Sequence, residues 1–170
     1  MPSGVGPGAQ SVVVTTPTGS SAPFPVTVES VKPGLLAPSS FLIGATQNLV
    51  ALFPDNVTYV LPPGAIAGVP SRRARAGDTI VFYGVGFGNV TPNIVPGTIA
   101  QQSNTLSLPF VVRIGGVQAT VSYSGLAPNF VGLYQFNVVV PSVTTGDTVP
   151  VSFSLNGVAS TQNLSLAVGN

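Results

Sequence analysis

The segment Val112-Arg113-Ile114-Gly115-Gly116-Val117-Gln118-Ala119-Thr120-Val121-Ser122-Tyr123 decides the fold class. Over 117–123 apolar and polar residues alternate without a break. That period of two sends successive side chains to opposite faces of an extended chain. Gly115-Gly116 separates this run from Val112-Arg113-Ile114, and paired glycines supply the backbone angles of a two-residue hairpin loop. The segment therefore reads as antiparallel strands joined by a tight turn, with one face buried and one face wet.

The same pattern extends outward. Over 148–155, Val149, Val151, Phe153 and Leu155 share a face; further on, Leu164, Leu166 and Val168 oppose Asn163 and Ser165. Asn156-Gly157, between Phe153-Ser154-Leu155 and Val158-Ala159, is the strongest short hairpin signal. No stretch sustains a helical period, and β-branched residues abound. Short strands with turns roughly every ten residues predict an all-β, antiparallel sandwich.

An echo of the last hairpin stands near the start. Val12-Val13-Val14-Thr15-Thr16, the Gly19 turn and Val26-Thr27-Val28 repeat the shape of Val151-Ser152-Phe153-Ser154-Leu155, the Gly157 turn and Leu164-Ser165-Leu166. This reads either as the end of a preceding module or as a chance likeness between β-rich segments. The expected organisation is a flexible N-terminus at 1–10, a β-hairpin and Pro-rich strand region at 11–76, and the sandwich at 77–170 with 11–76 packed against it. Within the middle region short strands are expected at 47–52 and 57–60, before Leu61-Pro62-Pro63-Gly64 breaks the pattern. A long strand is expected to start at Gly77-Asp78, after Arg72-Arg73-Ala74-Arg75.

Charged residues make up only 5% of the 170, against 44% hydrophobic, where a soluble domain has roughly a quarter charged. Hydroxyls, amides and backbone must wet the surface instead. A net charge of +1 gives little mutual repulsion, so self-association is expected. The five cations, Lys32, Arg72, Arg73, Arg75 and Arg113, are too few for a nucleic-acid partner. Without cysteine there is no disulfide framework or thiolate chemistry, and without histidine the usual general base and commonest metal ligand are missing. No apolar run is long enough to span a bilayer. Met1-Pro2-Ser3-Gly4 lacks the regions of a signal peptide, so Met1 reads as an added start and any export signal as lying upstream.

Gly77-Asp78-Thr79-Ile80 followed by Tyr83-Gly84-Val85-Gly86-Phe87-Gly88 resembles the opening of a TIG-type immunoglobulin-like domain. The later series Ile114-Gly115-Gly116-Val117-Gln118-Ala119, Tyr123-Ser124-Gly125-Leu126-Ala127-Pro128 and Val131-Gly132-Leu133-Tyr134-Gln135-Phe136-Asn137-Val138 is similar to a C-terminal domain family of secreted acidobacterial proteins. The likeness runs from about residue 12 to the end. It implies an immunoglobulin/TIG-like β-sandwich in a secreted, often multi-domain setting, and brings no catalytic residues with it. The chain departs from the family in standing without the large upstream region such domains usually follow.

Motifs that suggest chemistry also have simpler structural readings. Gly84-Val85-Gly86-Phe87-Gly88-Asn89-Val90 superficially suggests a nucleotide loop, but no lysine follows it and Thr91-Pro92-Asn93 forbids the helix that a dinucleotide site needs. Its glycines are expected to bend or bulge a strand leaving its sheet. The acids are Glu29, Asp55, Asp78 and Asp147. The three aspartates sit at turns or strand starts, where Asp accepts local hydrogen bonds, and a facing carboxylate pair or a calcium site is the weaker reading. Many serines lack any histidine to activate them. Phe82, Tyr123, Tyr134, Phe136 and Phe153 fall on apolar strand faces and are expected in the core. Asn56-Val57-Thr58, Asn89-Val90-Thr91 and Asn163-Leu164-Ser165 match the glycosylation pattern but carry little weight in a chain so rich in serine and threonine.

The leading functional expectation is a non-catalytic, extracellular structural, adhesion or assembly module without cofactors or metal. Its expected partners are copies of itself or neighbouring β-sandwich modules, engaged by strand addition through a hairpin carrying Val12, Val14, Phe24, Val26 and Val28. The alternative is a carbohydrate-binding module, with polysaccharide stacked on Tyr59, Tyr83 and Phe87. A hydrolase, with Asp78 and Asp147 facing each other across a substrate, is the third reading.

Overall fold

Strands whose apolar residues recur every second position must bury that face against a second sheet, and the computed structural model, which describes residues 5–169, shows two such sheets face to face. The opening 1–4 stretch, including the leader reading placed on it, and Asn170 lie outside the described residues. Two arm strands come first, β1 (Gly8–Val12) and β2 (Phe24–Val28). The body follows with β3 (Gly34–Leu35), β4 (Ala51–Leu52), β5 (Tyr59–Val60), β6 (Ser71–Arg72) and β7 (Thr79–Val85). Its second half holds β8 (Phe110–Ile114), β9 (Val117–Gln118), β10 (Thr120–Leu126) and β11 (Tyr134–Val139). It closes with β12 (Gly146–Leu155), β13 (Val158–Ala159) and β14 (Leu164–Val168). Apart from a 3-10 turn at Ser39–Phe41, the regular structure of the described residues is β.

The first sheet runs β6-β5-β4-β7-β11-β10, with β3 also on β7; the second runs β9-β8-β12-β13, with β14 also on β12. All pairings are antiparallel except β5 with β6. The two hairpin signals act as expected. Ile114 pairs with Val117 across Gly115-Gly116 (φ +57° and +80°), and Leu155 with Val158 across Asn156-Gly157 (φ +50° and +79°). Positive φ at both central positions gives the turn that matches the twist of adjoining strands.

Between the sheets Ile80, Phe82, Phe136 and Val138 meet Val112, Ile114, Val151, Phe153 and Leu166, all buried. Burying each such side chain contributes roughly 1.5–3 kcal/mol. Phe87 is the hub. Its ring centre lies 4.7 Å from Phe136, 5.5 Å from Tyr134, 5.7 Å from Phe153 and 5.8 Å from Phe110.

The structure carries the sandwich further towards the N-terminus than the expected start at 77. Leu35, Leu49, Ala51, Phe53, Val60 and Ala74 belong to the same core cluster. β14 fastens this region by parallel bridges of Ser165 to Asn48 and Val168 to Ala74, with Leu49 N–H donating to Ser165 O (3.0 Å) and Ala74 N–H to Ala167 O (3.0 Å). Two-residue strands broken by prolines show too little alternation for their pairing to be read. At the other end, 8–10, assigned to a flexible terminus, lie in β1 and pair with β2.

Candidate functional site

The arm is a ribbon of two unequal faces. Its register pairs Gly8 with Val28, Gln10 with Val26 and Val12 with Phe24. Paired residues share a face, so Val12, Phe24, Val26 and Val28 fall on one mainly apolar face, interrupted by Gln10 beside Val26, while Ala9, Ser11, Pro25 and Thr27 form the other. Beyond β1 the chain narrows to a tip where Thr15 pairs with Ser20 and Thr16 with Gly19. Val14 belongs to this tip: its N–H donates to Ser21 Oγ (3.1 Å) and its carbonyl accepts from Ser21 N–H (2.9 Å). The five hairpin residues singled out from sequence thus fall into an apolar face of four and a tip valine.

Cover on that face fades with distance from the body. Val28 is buried, Val26 is half-buried, and Phe24 is 68% exposed with Val14 at 60%. Outward-facing valine and phenylalanine in this number make a patch of the kind that marks interaction surfaces. No charged residue lies between Val5 and Val28, so no charge on the ribbon opposes pairing at its edges, although Pro25 within β2 has no N–H to give. A two-stranded ribbon is marginal in water by itself and needs a third strand or a packed face.

The root, by contrast, is fixed. Lys32 N–H donates to Gly86 O (2.9 Å), Val31 packs against the core, and Lys32 pairs with Glu29 (2.7 Å) at the surface. The glycine-rich loop makes this approach feasible. Gly86 (φ +80°) lies against the Lys32 carbonyl, and a Cβ on Gly88 (φ +87°) would come 2.7 Å from the Val31 side chain. The same two left-handed residues swing Phe87 back under the sheet.

On the flank of the body, β9 covers only Arg113 and Ile114 of β8. The chain then leaves for the other sheet, where Thr120 pairs with Val139. A slot of about 450 Å³ opens in the wedge, lined by Phe110, Val111, Gln118, Ala119, Thr120 and Val121. A second hollow, about 350 Å³, lies on the outer face of the first sheet between Gln101, Gln102, Tyr123, Pro128, Gln135 and Asn137. Asn104, buried beneath it, accepts from Leu126 N–H (2.6 Å) and donates to Gln102 O (3.1 Å), which holds the 101–103 rim in place.

The aromatic set chosen for stacking is split by the fold. Phe87 is fully enclosed, which removes it as a ligand platform, because the left-handed glycines on either side turn it inward. Tyr59 is half-buried against Phe41, with ring centres 5.4 Å apart, and Tyr83 is half-buried on the outer face of the first sheet. Tyr123, assigned to the core, instead lies on that outer face, opposite Asn137. A bulge between Val121 and Tyr123 resets the alternation there, and no period-two reading could have found it.

Each acid has a hydrogen-bonded partner, which for Asp147 lies far away in sequence. Asp55 accepts from the N–H groups of Val57 and Thr58 (2.9 Å each), Asp78 from Arg72 (2.8 Å) and Arg75 N–H (2.9 Å), and Asp147 from Arg73 (2.5 Å). The Arg72 guanidinium also sits 3.5 Å over the Phe53 ring. The N–H donors of Thr58 and Val57 hold the Asp55 carboxyl below its ordinary range, and Arg73 does so for Asp147. Burial works to raise Asp78 but is outweighed by the Arg75 N–H and Arg72. The Arg73–Asp147 pair is exposed on both sides, so solvent screens it and it adds little to stability. No family model, curated protein or solved structure matches the chain.

Proposed function

We propose that this chain is a non-catalytic extracellular structural module, an immunoglobulin/TIG-like sandwich whose N-terminal arm joins it to copies of itself or to a neighbouring sandwich. One observation carries the reading: an uncharged ribbon, anchored at Val28 and Lys32, whose apolar face goes uncovered towards Phe24. An arm of this kind is stabilised when its edges and apolar face meet another sheet, the mode known as strand addition. Low surface charge supports the reading, since nothing keeps copies apart. Removing residues 1–30 tests it: light scattering and negative-stain microscopy should then find a soluble monomer, and assemblies that persist would refute it.

The outer-face hollow favours a second reading, a carbohydrate-binding module. Tyr123 offers a ring whose hydroxyl is tied to Leu126 O (2.7 Å), beside the amide pair Gln135 and Asn137 (2.9 Å). Amides and a fixed ring without charge suit a neutral sugar, whose hydroxyls both donate and accept. Retention on a polysaccharide column that is lost in Tyr123→Ala would support this reading; passage of the unaltered chain without delay would dispose of it.

A further inference from the structure

We infer that the wedge between β8 and β10 is the acceptor for the arm of a second copy, so that the chain carries both halves of its own joint. The inference rests on the assembly reading above and names the surface where assembly occurs. Three features of the wedge support it.

The first is an unfilled hydrogen-bonding edge. Pro109 O accepts from Asn156 N–H and Gly115 N–H donates to Pro150 O. In an antiparallel ladder this phase turns the main-chain groups of Val111 and Arg113 towards β12, and those of Phe110 and Val112 the other way. On that other side β9 reaches only Arg113 and Ile114, and the Val112 carbonyl accepts from Ala119 N–H (3.0 Å). The start of β8 is therefore open for a further strand. Among the other outer margins, β6 and β13 are two residues long and β14 is engaged by Asn48 and Ala74, while β10, the end strand of the first sheet, forms the opposite side of the same wedge.

The second is the match of faces. A strand added beside β8 must present apolar residues inward, over Phe110, Ala119 and Val121, and polar ones to water. The arm strand β2 carries that pattern most clearly, with Phe24, Val26 and Val28 on one face and Pro25 and Thr27 on the other, while β1 adds Val12 and the polar Gln10 to the inward face. The slot of about 450 Å³ is open to solvent, with Phe110, Ala119 and Val121 offering an apolar wall to the Phe24 ring and Gln118 and Thr120 at its polar rim.

The third is charge. The arm from Val5 to Val28 has no charged residue, and neither have the six residues lining the slot. Neither surface repels the other, and no ion is stripped of water when they meet. The arm's root is tied to the loop at Gly86, so the ribbon projects from its own body and meets the wedge of a neighbour. Each copy gives one arm and receives one, a head-to-tail contact that propagates.

The chain has no cysteine, which makes thiol placement unambiguous. Full-length chains carrying Ser11→Cys are mixed with chains carrying Thr120→Cys, or with chains carrying Val158→Cys on β13, and treated with a short bis-maleimide. The arm thiol is expected to couple to position 120 at least tenfold more than to 158. Equal coupling, or preference for 158, overturns the inference while leaving the assembly reading standing. Absence of any higher-mass species in the unsubstituted chain overturns both. A second variant, Gln118→Lys with Thr120→Lys, charges two exposed positions at the slot. It should keep the thermal midpoint of the parent chain and lose association, whereas association undiminished at equal concentration sinks the assignment.

Discussion

Gly86 and Lys32 touch at the backbone: the Lys32 N–H donates to the Gly86 carbonyl (2.9 Å), and a Cβ at position 86 would overlap the Lys32 carbonyl oxygen. The glycine-rich loop is thus the seat of the arm. Gly86→Ala should destabilise the fold by at least about 2 kcal/mol, since a left-handed residue with a side chain is strained before any overlap is counted. Urea denaturation measures this. A loss below about 0.5 kcal/mol would mean that the arm root shifts freely and that the contact is incidental.

Phe87 supplies the second expectation. Its ring meets four other aromatic rings and is fully buried. Phe87→Ala should therefore cost about 3–5 kcal/mol, with Phe87→Leu much milder, read by thermal or urea unfolding. An alanine variant of near-parental stability would put the ring outside the core.

These two residues also mark how far the sequence could be read. The long strands were legible because Val149, Val151, Phe153 and Leu155 keep one face for a whole strand, and both two-residue hairpins because Gly-Gly and Asn-Gly permit few alternatives. Phe87 was not, since its direction is set by the φ of Gly86 and Gly88. Tyr123 was misplaced by a single bulge at Ser122, which flips every later side chain. The role of 34–76 in the core comes from long-range bridges such as Asn48 to Ser165, which leave no local periodicity. Of the candidate site, the arm's apolar residues were visible as a pattern, whereas the open wedge is a property of pairing and has no sequence signature.

The pH profile should be flat through neutrality and fall at both ends. With no histidine, no unperturbed side chain titrates between about pH 5 and 8. The carboxyls of Asp55, Asp78 and Asp147 are lowered in the folded chain from 3.8. Their contribution is complete above that value and lost as pH falls through the folded values. Burial raises the phenols of Tyr83, Tyr123 and Tyr134 above 10.0. The unfolded chain then releases its protons first, and stability falls as pH climbs past about 10. Thermal midpoints across pH 2–11 check this; a step near pH 6–7 would contradict it.

Asn104 is a buried side chain with both ends engaged, accepting from Leu126 N–H and donating to the Leu126 and Gln102 carbonyls. Asn104→Ala leaves the Leu126 N–H without that partner and should cost about 1–3 kcal/mol. It should also loosen the 101–103 rim, detected as faster amide exchange there. If a sugar is held in the hollow, this variant loses retention together with Tyr123→Ala; retention unchanged by both places the sugar elsewhere.

Phe24 separates folding from association. At 68% exposed it makes little of the monomer's core, so Phe24→Asp should alter stability by no more than about 0.5 kcal/mol. The same substitution puts a charge at the outer end of the arm's apolar face, where docking against the uncharged residues that line the slot would have to strip it of water. Association should therefore fall at least tenfold while the unfolding curve of the isolated chain is unchanged, measured by sedimentation and denaturation on one preparation. Were association to survive the charge, the arm's apolar face would not be what is buried between copies. Were stability to fall instead, Phe24 would belong to its own body's core and the ribbon would be a packed element.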